Sequence, residues 1–155
     1  AGAFVIGNAS SDDKLELAIG LGMDVGINYG TQDVVEEVMR ATGGAGVDVV
    51  FEHVGGESFQ FALDSLGKDG RLVTCGAHAG EVVPFDVIPF FRAQKSVIGS
   101  FIFTREEVSK CLGLAARGLI KPLVHSTFPL DQARDAMALM ERREHFGKIV
   151  LRIST

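Results

Sequence analysis

Val47-Asp48-Val49-Val50-Phe51-Glu52 decides the fold, because it is apolar almost throughout. That pattern is typical of a parallel β-strand covered on both faces. A helix is predicted next, since Phe59, Ala62, Leu63 and Leu66 recur at the i, i+3, i+4 and i+7 spacing of one helix face. Gly70-Arg71-Leu72-Val73-Thr74-Cys75 is the next predicted strand. A strand, a helix and a strand in this order predict an α/β domain with a parallel sheet.

The same alternation continues on both sides of this stretch. Further strands are predicted near Phe4, near Ile27 and at residues 97–103, with helices between them. We therefore expect one doubly wound parallel sheet with helices on both faces and right-handed connections.

The clearest helix start in the chain is Thr104. It has the N-cap type of side chain, and Glu107 stands three residues later as its capping-box partner. The apolar face of this helix is expected to point inward; it comprises Val108, Cys111, Leu112 and Ala115.

Two segments break the alternation. Residues 80–89 contain two prolines and are predicted to form a long loop with a short helix. Pro122 and Pro129 bracket residues 123–128, which are predicted to be a strand that leaves the main sheet. The chain ends on an apolar strand predicted at residues 148–153.

The composition argues against several functional classes. The 155 residues carry a net charge of −5, which disfavours a nucleic-acid-binding protein. No uncharged apolar stretch approaches the roughly 18 residues of a membrane-spanning helix, and the N-terminus does not resemble a signal peptide. Two cysteines, Cys75 and Cys111, fit a reducing compartment, so a cytoplasmic location is expected.

Ligands of such sheets bind at the carboxyl ends of the strands. Glycine and other small residues are frequent at these ends, as a site that contacts a cofactor through its backbone requires. The alternative interpretation is that glycine simply ends the strands. The segments concerned are residues 8–11, Tyr29, residues 53–56, residues 75–79 and residues 99–101.

Several sequence motifs resemble the second half of a medium-chain dehydrogenase/reductase of the zinc-type alcohol dehydrogenase and quinone oxidoreductase group. They occur in the order and at the spacing of that family over essentially the whole chain. The motifs are Ala9-Ser10-Ser11-Asp12-Asp13-Lys14-Leu15, Ile27-Asn28-Tyr29, Thr42-Gly43-Gly44-Ala45-Gly46-Val47-Asp48, Val54-Gly55-Gly56-Glu57, Gly70-Arg71-Leu72-Val73-Thr74-Cys75-Gly76-Ala77 and Phe146-Gly147-Lys148-Ile149-Val150-Leu151.

The resemblance implies an incomplete Rossmann-like domain. The first strand and helix of the family's cofactor domain, with the Gly-rich phosphate turn between them, have no counterpart here, and neither does the catalytic domain. Residues 1–121 would then be a partial dinucleotide-binding domain. Residues 122–155 would be the C-terminal tail that packs on the catalytic domain. By the same resemblance, residues 97–103 join two copies of the chain edge to edge in a homodimer.

The resemblance also favours NADP over NAD. Ala9 stands where NAD-selective members carry an acidic residue. Ser10 can donate to a 2′-phosphate, Lys14 supplies a positive charge, and Tyr29 can pack beside the adenine ribose. The alternative is that the serines only cap the first helix and that Lys14 is a solvated surface charge. The remaining predicted cofactor contacts are Val54, Gly55, Cys75, Gly76, Ala77, Gly99, Ser100 and Phe101.

No catalytic residue or metal site is predicted in this chain. The four histidines show no metal-ligand spacing with each other or with the cysteines. Cys75 is expected to be a buried small residue, and nothing in the sequence pairs with Glu52 as a general base would require. In the resembling family, any zinc would be held by the catalytic domain.

Two functional classes follow. The first is part of an oxidoreductase that transfers a hydride between NADP(H) and a small alcohol, carbonyl or quinone/enone substrate, with these residues inactive by themselves. The second is a non-catalytic Rossmann-like binding or scaffold module.

Overall fold

The computed structural model describes residues 2–153. They divide into two compact units, one ending at Phe101 and the other beginning at Ile102. The boundary that the resemblance implies between residues 121 and 122 is not a boundary between these compact units, and it stays a prediction.

The first unit alternates strands and helices, which confirms the α/β, Rossmann-like class. Every strand pair in it is parallel. Its elements are β1 (Ile6–Ala9), α1 (Asp12–Gly20), β2 (Val25–Asn28), α2 (Val34–Ala41), β3 (Val47–Glu52), α3 (Glu57–Ser65), β4 (Leu66–Thr74), α4 (Val87–Arg92) and β5 (Ser96–Gly99).

The strands of this unit form two sheets where one was expected. β1 pairs with β2, and β3, β4 and β5 form a separate three-stranded sheet in that order. Within residues 2–153 no ladder joins β1 to β3. Helix α2 connects the two sheets, since it packs against both β2 and α3. In the doubly wound order the central strand pairs with both of these neighbours, and no described strand takes that position.

Each sheet has its own small apolar core. Leu72 of β4 is fully buried against α3, together with Ala62, Leu63 and Leu66. In the two-stranded sheet the buried apolar residues are Leu15 of α1 and Ile27 of β2.

The prediction that β3 is covered on both faces is wrong. Val49 and Phe51, which share one face, are 51% and 67% exposed. The opposite face is covered, because Val50 packs against the core beneath α3. No described residue buries the face of β3 that carries Val49 and Phe51. This strand is therefore covered on one face only, whereas helices were expected on both faces of the sheet.

Three strand boundaries differ from the predicted ones. β1 begins at Ile6, two residues after Phe4. β4 begins at Leu66, which the spacing predicts to be the last residue of a helix face. Leu66 is buried, as that prediction requires, but it lies in a strand. β5 ends at Gly99, so the last four residues of the predicted strand 97–103 lie outside it.

The second unit contains a helix followed by a strand, a helix and a strand. These are α5 (Arg105–Ala116), β6 (Val124–Pro129), α6 (Ala133–Glu141), which follows a 3₁₀ turn at Leu130–Gln132, and β7 (Lys148–Arg152). β6 pairs with β7 in parallel, which confirms that residues 123–128 contain a strand outside the main sheet.

Helix α5 starts as predicted but packs differently. Thr104 and Glu107 form the full capping box, with both reciprocal hydrogen bonds present. The expected inward face is wrong, because α5 has no buried residue and both Leu112 and Cys111 are exposed. A capping box is set by contacts within one turn, whereas burial requires a partner that covers the whole face, and the described residues leave Cys111 and Leu112 of this face exposed.

Candidate functional site

The ends of β1 and β2 bring two of the predicted cofactor residues together. The Tyr29 amide donates to the Ala9 carbonyl at 3.1 Å. Tyr29 is about half exposed, so its ring is open to a ligand. Ser10 is exposed immediately after β1. We call the residues Ala9, Ser10, Asn28 and Tyr29 the β1–β2 rim.

Asn28 organises this rim through hydrogen bonds of its side chain and of its backbone. It is 8% exposed at the end of β2. Its Nδ2 donates to Asp12 Oδ1 at 2.7 Å, and its Oδ1 accepts from the Gly30 amide at 3.0 Å. Its carbonyl accepts from the Gln32 amide, and its own amide donates to Gln32 Oε1. The turn after β2 is thereby fixed to the start of α1.

The first turn of α1 carries charges of both signs. Asp12 and Asp13 are exposed, and Lys14 is half-buried. Ser11 stands at the N-cap but makes no side-chain capping bond. The alternative that the serines serve only as helix caps therefore has no support in the geometry of Ser11.

Glu52 anchors the end of β3. The side chain is 4% exposed, and its Oε1 accepts from the Val54 amide at 2.7 Å and from the Gly55 amide at 2.8 Å. Thr74 Oγ1 lies 3.5 Å from the other carboxylate oxygen, and the Cys75 amide donates to the Glu52 carbonyl. Glu52 therefore shapes the loop after β3 and ties it to the end of β4, a structural role rather than that of an available base.

The loops after β3 and β4 are joined through their backbones. We call residues 53–56 and 75–80 the glycine loop pair. The Ala79 amide donates to the Val54 carbonyl at 2.8 Å, and the Gly56 amide donates to the Gly80 carbonyl at 3.1 Å. A Cβ on Gly76 would lie 2.5 Å from the His53 carbonyl oxygen, so no larger residue fits without a backbone shift.

The end of β5 continues this row of strand ends. The Ser100 amide donates to the Thr74 carbonyl at 2.8 Å, which places Ser100 beside the end of β4. A Cβ added to Gly99 would have nothing within 4 Å, so this backbone faces open space. Phe101 is 95% exposed.

The predicted cofactor residues thus lie in two groups on one unit. Ala9, Ser10 and Tyr29 lie at the β1–β2 rim, with Lys14 in the first turn of α1. The second group follows the three-stranded sheet and consists of Val54, Gly55, Cys75, Gly76, Ala77, Gly99 and Ser100. No backbone-to-backbone hydrogen bond among residues 2–153 joins the two groups directly.

One expectation about this second group is wrong. Cys75 is exposed rather than buried, because β4 ends at Thr74 and the next residue lies beyond the layer that α3 covers. Near it the His53 and His78 rings, both exposed, have centroids 5.9 Å apart.

Two groups with shifted pKa values lie away from these strand ends. Burial lowers the pKa of Lys95, which precedes β5, and Asp64 partly opposes that shift. Hydrogen bonds from the Thr104 amide and hydroxyl lower the pKa of Glu107. Within residues 2–153, no cluster of three or more His, Cys, Asp or Glu side chains could hold a metal ion, and no helix is long and apolar enough to cross a membrane.

Two residues shape the site although the sequence did not mark them as structural anchors. Asn28 and Glu52 are polar residues at the last position of their strands, and both are buried. A polar residue that ends an apolar strand was the available signal. Each has partners in the turn that follows it and one partner far along the chain, Asp12 in α1 and Thr74 in β4, and the sequence spacing does not reveal these distant pairs.

The chain is similar to known proteins over nearly its whole length. Residues 1–117 match the family model described as zinc-binding dehydrogenase. A 2-haloacrylate reductase from Burkholderia sp. is 38% identical over 97% of this chain and 48% of its own length. An NAD-dependent alcohol dehydrogenase from Sulfolobus acidocaldarius is 34% identical over 99% of this chain and 44% of its own length.

Two solved structures are also similar to this chain over nearly its whole length. A crystal structure of an NAD-dependent alcohol dehydrogenase has a TM-score of 0.88 and 34% identity, over 99% of this chain and 45% of that one. The structure of a 2-haloacrylate reductase has a TM-score of 0.79 and 35% identity, over 99% of this chain and 51% of that one.

The chain spans about half the length of the relatives it matches. The match to the family model covers most of the chain, and these relatives are named as oxidoreductases. The resemblance seen in the sequence is confirmed: the chain belongs to the zinc-binding dehydrogenase family, within the medium-chain dehydrogenases/reductases.

Proposed function

We propose that this chain is the greater part of the NADP(H)-binding domain of an oxidoreductase that reduces or oxidises a small alcohol, carbonyl or quinone/enone substrate. The observation that carries the proposal is the β1–β2 rim. It presents a half-exposed Tyr29 beside Ala9, where an NAD-selective Rossmann domain has an acidic residue.

The residues of the β1–β2 rim favour a ribose that carries a 2′-phosphate. Without a carboxylate at Ala9, nothing at that position repels a 2′-phosphate, and the exposed Ser10 hydroxyl can donate to it. Lys14 adds a positive charge in the first turn of α1. One of the relatives is named as NAD-dependent, so the preference for NADP rests on these residues of this chain.

The second group of strand ends would hold the other end of the cofactor. The glycine loop pair is fixed by Glu52 and by its own backbone bonds, and the open side of Gly99 allows close approach. When bound, the nicotinamide supplies or accepts the hydride. The chain's own residues would bind and orient the two ends of the cofactor. The names of the relatives, which mention an alcohol and a 2-haloacrylate, support a substrate with a polarised C–O or C–C bond.

Zinc has no ligand set in the described part of this chain, since no three suitable side chains come together there. No step of the proposal therefore depends on zinc held by these residues.

We further propose that β5 pairs with its copy in a second chain. All four residues of β5 are exposed, and it is hydrogen-bonded on one side only within the described sheet. An exposed apolar edge without charged residues favours strand pairing. In the full-length protein, Ile98→Asp should convert a dimer to a monomer in sedimentation equilibrium, whereas Ile19→Asp on α1, at a similarly exposed site, should not. A monomeric wild-type protein would contradict this proposal.

The proposed activity can be tested with the full-length protein. Purified protein is mixed with NADPH and, in turn, with a quinone, an enone and an aldehyde, and the loss of NADPH absorbance is followed. The proposal expects turnover with at least one substrate and none with residues 1–155 alone. No consumption of either NADPH or NADH with any substrate class would contradict it.

A further inference from the structure

The four histidines of the chain meet in two pairs, although their sequence spacing does not indicate it. The His53 and His78 rings have centroids 5.9 Å apart, and the His125 and His145 rings have centroids 6.4 Å apart. Neutral imidazole is the commonest metal ligand in proteins. Two neighbouring rings can therefore supply two ligands to one metal ion, provided that their nitrogens are accessible and close enough.

The first pair stands on the glycine loop pair, and its rings are accessible to a ligand. Both side chains are exposed. Among residues 2–153, neither ring takes part in a hydrogen bond. The two loops are held together by their backbones, because the Ala79 amide donates to the Val54 carbonyl at 2.8 Å and Gly76 lies against the His53 carbonyl oxygen. The fold thus brings two solvent-facing imidazoles together before any ion binds.

The separation of this first pair fits a single ion between the rings. A metal–nitrogen bond of about 2.0–2.1 Å puts each ring centre about 3.2 Å from the ion, so two ligating rings can have centres up to about 6.4 Å apart. The 5.9 Å between the His53 and His78 centroids is below this limit. Because both side chains are exposed, rotation about their side-chain bonds can aim one nitrogen of each ring at the same point.

The second pair is less suited to a metal ion. Its centroid separation of 6.4 Å is at the limit, which is reached only when the ion lies on the line between the two ring centres. His125 Nδ1 already accepts from the Phe146 amide at 3.4 Å, and His145 Nδ1 is buried. This second pair is therefore a control for the mere proximity of two histidines.

We propose that His53 and His78 form a binding site for one divalent transition-metal ion of the type that prefers imidazole, such as Ni²⁺, Zn²⁺ or Cu²⁺. No group of three His, Cys, Asp or Glu side chains forms a metal site in the part of the chain that the structure describes, so water completes the coordination. The site thereby differs from a structural or catalytic zinc centre, which takes three or four protein ligands. The inference goes beyond the proposed function, because it requires neither NADP(H) nor a substrate.

The test titrates the full-length protein with Ni²⁺ alone in an isothermal titration calorimeter. His53→Ala and His78→Ala should each weaken binding at this site by about tenfold or more, because only one imidazole is left. The double variant should differ from either single variant by less than about twofold, since the loss of one ring already breaks the pair. His53→Gln, which keeps a polar side chain, should behave like His53→Ala.

Two further variants separate this pair from other groups. His125→Ala, in the second pair, should change the affinity for Ni²⁺ by less than about twofold. Cys75→Ser removes the exposed thiol of the same loop pair and should have an equally small effect.

The melting temperature gives a second measurement. An ion that bridges the loops after β3 and β4 stabilises the folded state, so saturating Ni²⁺ should raise the melting temperature of the wild-type protein more than that of the double variant. Equal affinity and stoichiometry for Ni²⁺ in the wild-type protein and the double variant would overturn the proposal. A loss of binding in Cys75→Ser would also overturn it, because the thiol would then be a required ligand.

Discussion

The two groups of strand ends are held in place by different means. The glycine loop pair is joined by backbone hydrogen bonds and close glycine contacts, with the buried Glu52 carboxylate at its base. At the β1–β2 rim, a backbone hydrogen bond joins Ala9 to Tyr29. Further hydrogen bonds come from side chains, namely those of Asn28, Asp12 and Gln32. The loop pair should therefore respond to substitution through stability. The exposed side chains of the rim, Ser10 and Tyr29, should respond through selectivity, because they can change without moving the backbone.

The largest expected effect is at the base of the loop pair. Glu52→Ala removes the acceptor of two amides, Val54 and Gly55. Leaving such buried donors unsatisfied costs about 1–3 kcal/mol each, so we expect the free energy of unfolding to fall by about 3 kcal/mol. Urea denaturation of the full-length protein measures this. Glu81→Ala, at an exposed carboxylate, is the control and should change the value by less than about 0.5 kcal/mol. Equal changes in the free energy of unfolding for the two variants would contradict the structural role proposed for Glu52.

A smaller effect should separate two glycines at strand ends. The Cβ of Gly76→Ala would lie 2.5 Å from a backbone oxygen, and the required shift should cost about 2 kcal/mol. Gly99→Ala enters open space and should change stability by less than about 0.5 kcal/mol. The melting temperatures of the two variants of the full-length protein give the comparison. Equal melting temperatures of the two variants would contradict the close contact between Gly76 and the His53 carbonyl.

The smallest effect should appear at the rim and only in selectivity. Lys14→Ala should weaken NADPH about fivefold more than NADH, because one partly screened charge contributes about 1 kcal/mol to a phosphate contact. Lys68→Ala removes the same charge near the amino end of β4, at the opposite end of the strands, and should leave the ratio unchanged. Dissociation constants from fluorescence titration measure both. A loss that is equal for the two cofactors would show that Lys14 does not meet the phosphate.

Local features of the chain were predictable, and long-range ones were not. The strand Val47–Glu52 and the Thr104 and Glu107 capping box follow from neighbouring residues, and the structure has both. The division of the strands into two sheets depends on a central partner that no described strand supplies. The predicted burial of Cys75 and of the α5 face failed for a related reason, since periodicity identifies an apolar face but not what covers it.

The candidate site shows the same limit. Ala9, Ser10 and Tyr29 could be named from the sequence because they lie at predicted strand ends and match the motifs of the resembling family. Asn28 and Glu52 could not, since each is buried and part of its hydrogen bonding is with a distant element, Asp12 of α1 and Thr74 of β4. A buried polar residue at the last position of a strand is a general signal for such anchors.

The most direct test of the central claim is a side-by-side titration of the full-length protein with NADPH and NADH. The β1–β2 rim, with no carboxylate at Ala9 and with Ser10, Lys14 and Tyr29 nearby, predicts that NADPH binds at least tenfold more tightly, a difference of about 1.4 kcal/mol. Equal affinities, or tighter binding of NADH, would contradict the assignment of this rim to a 2′-phosphate.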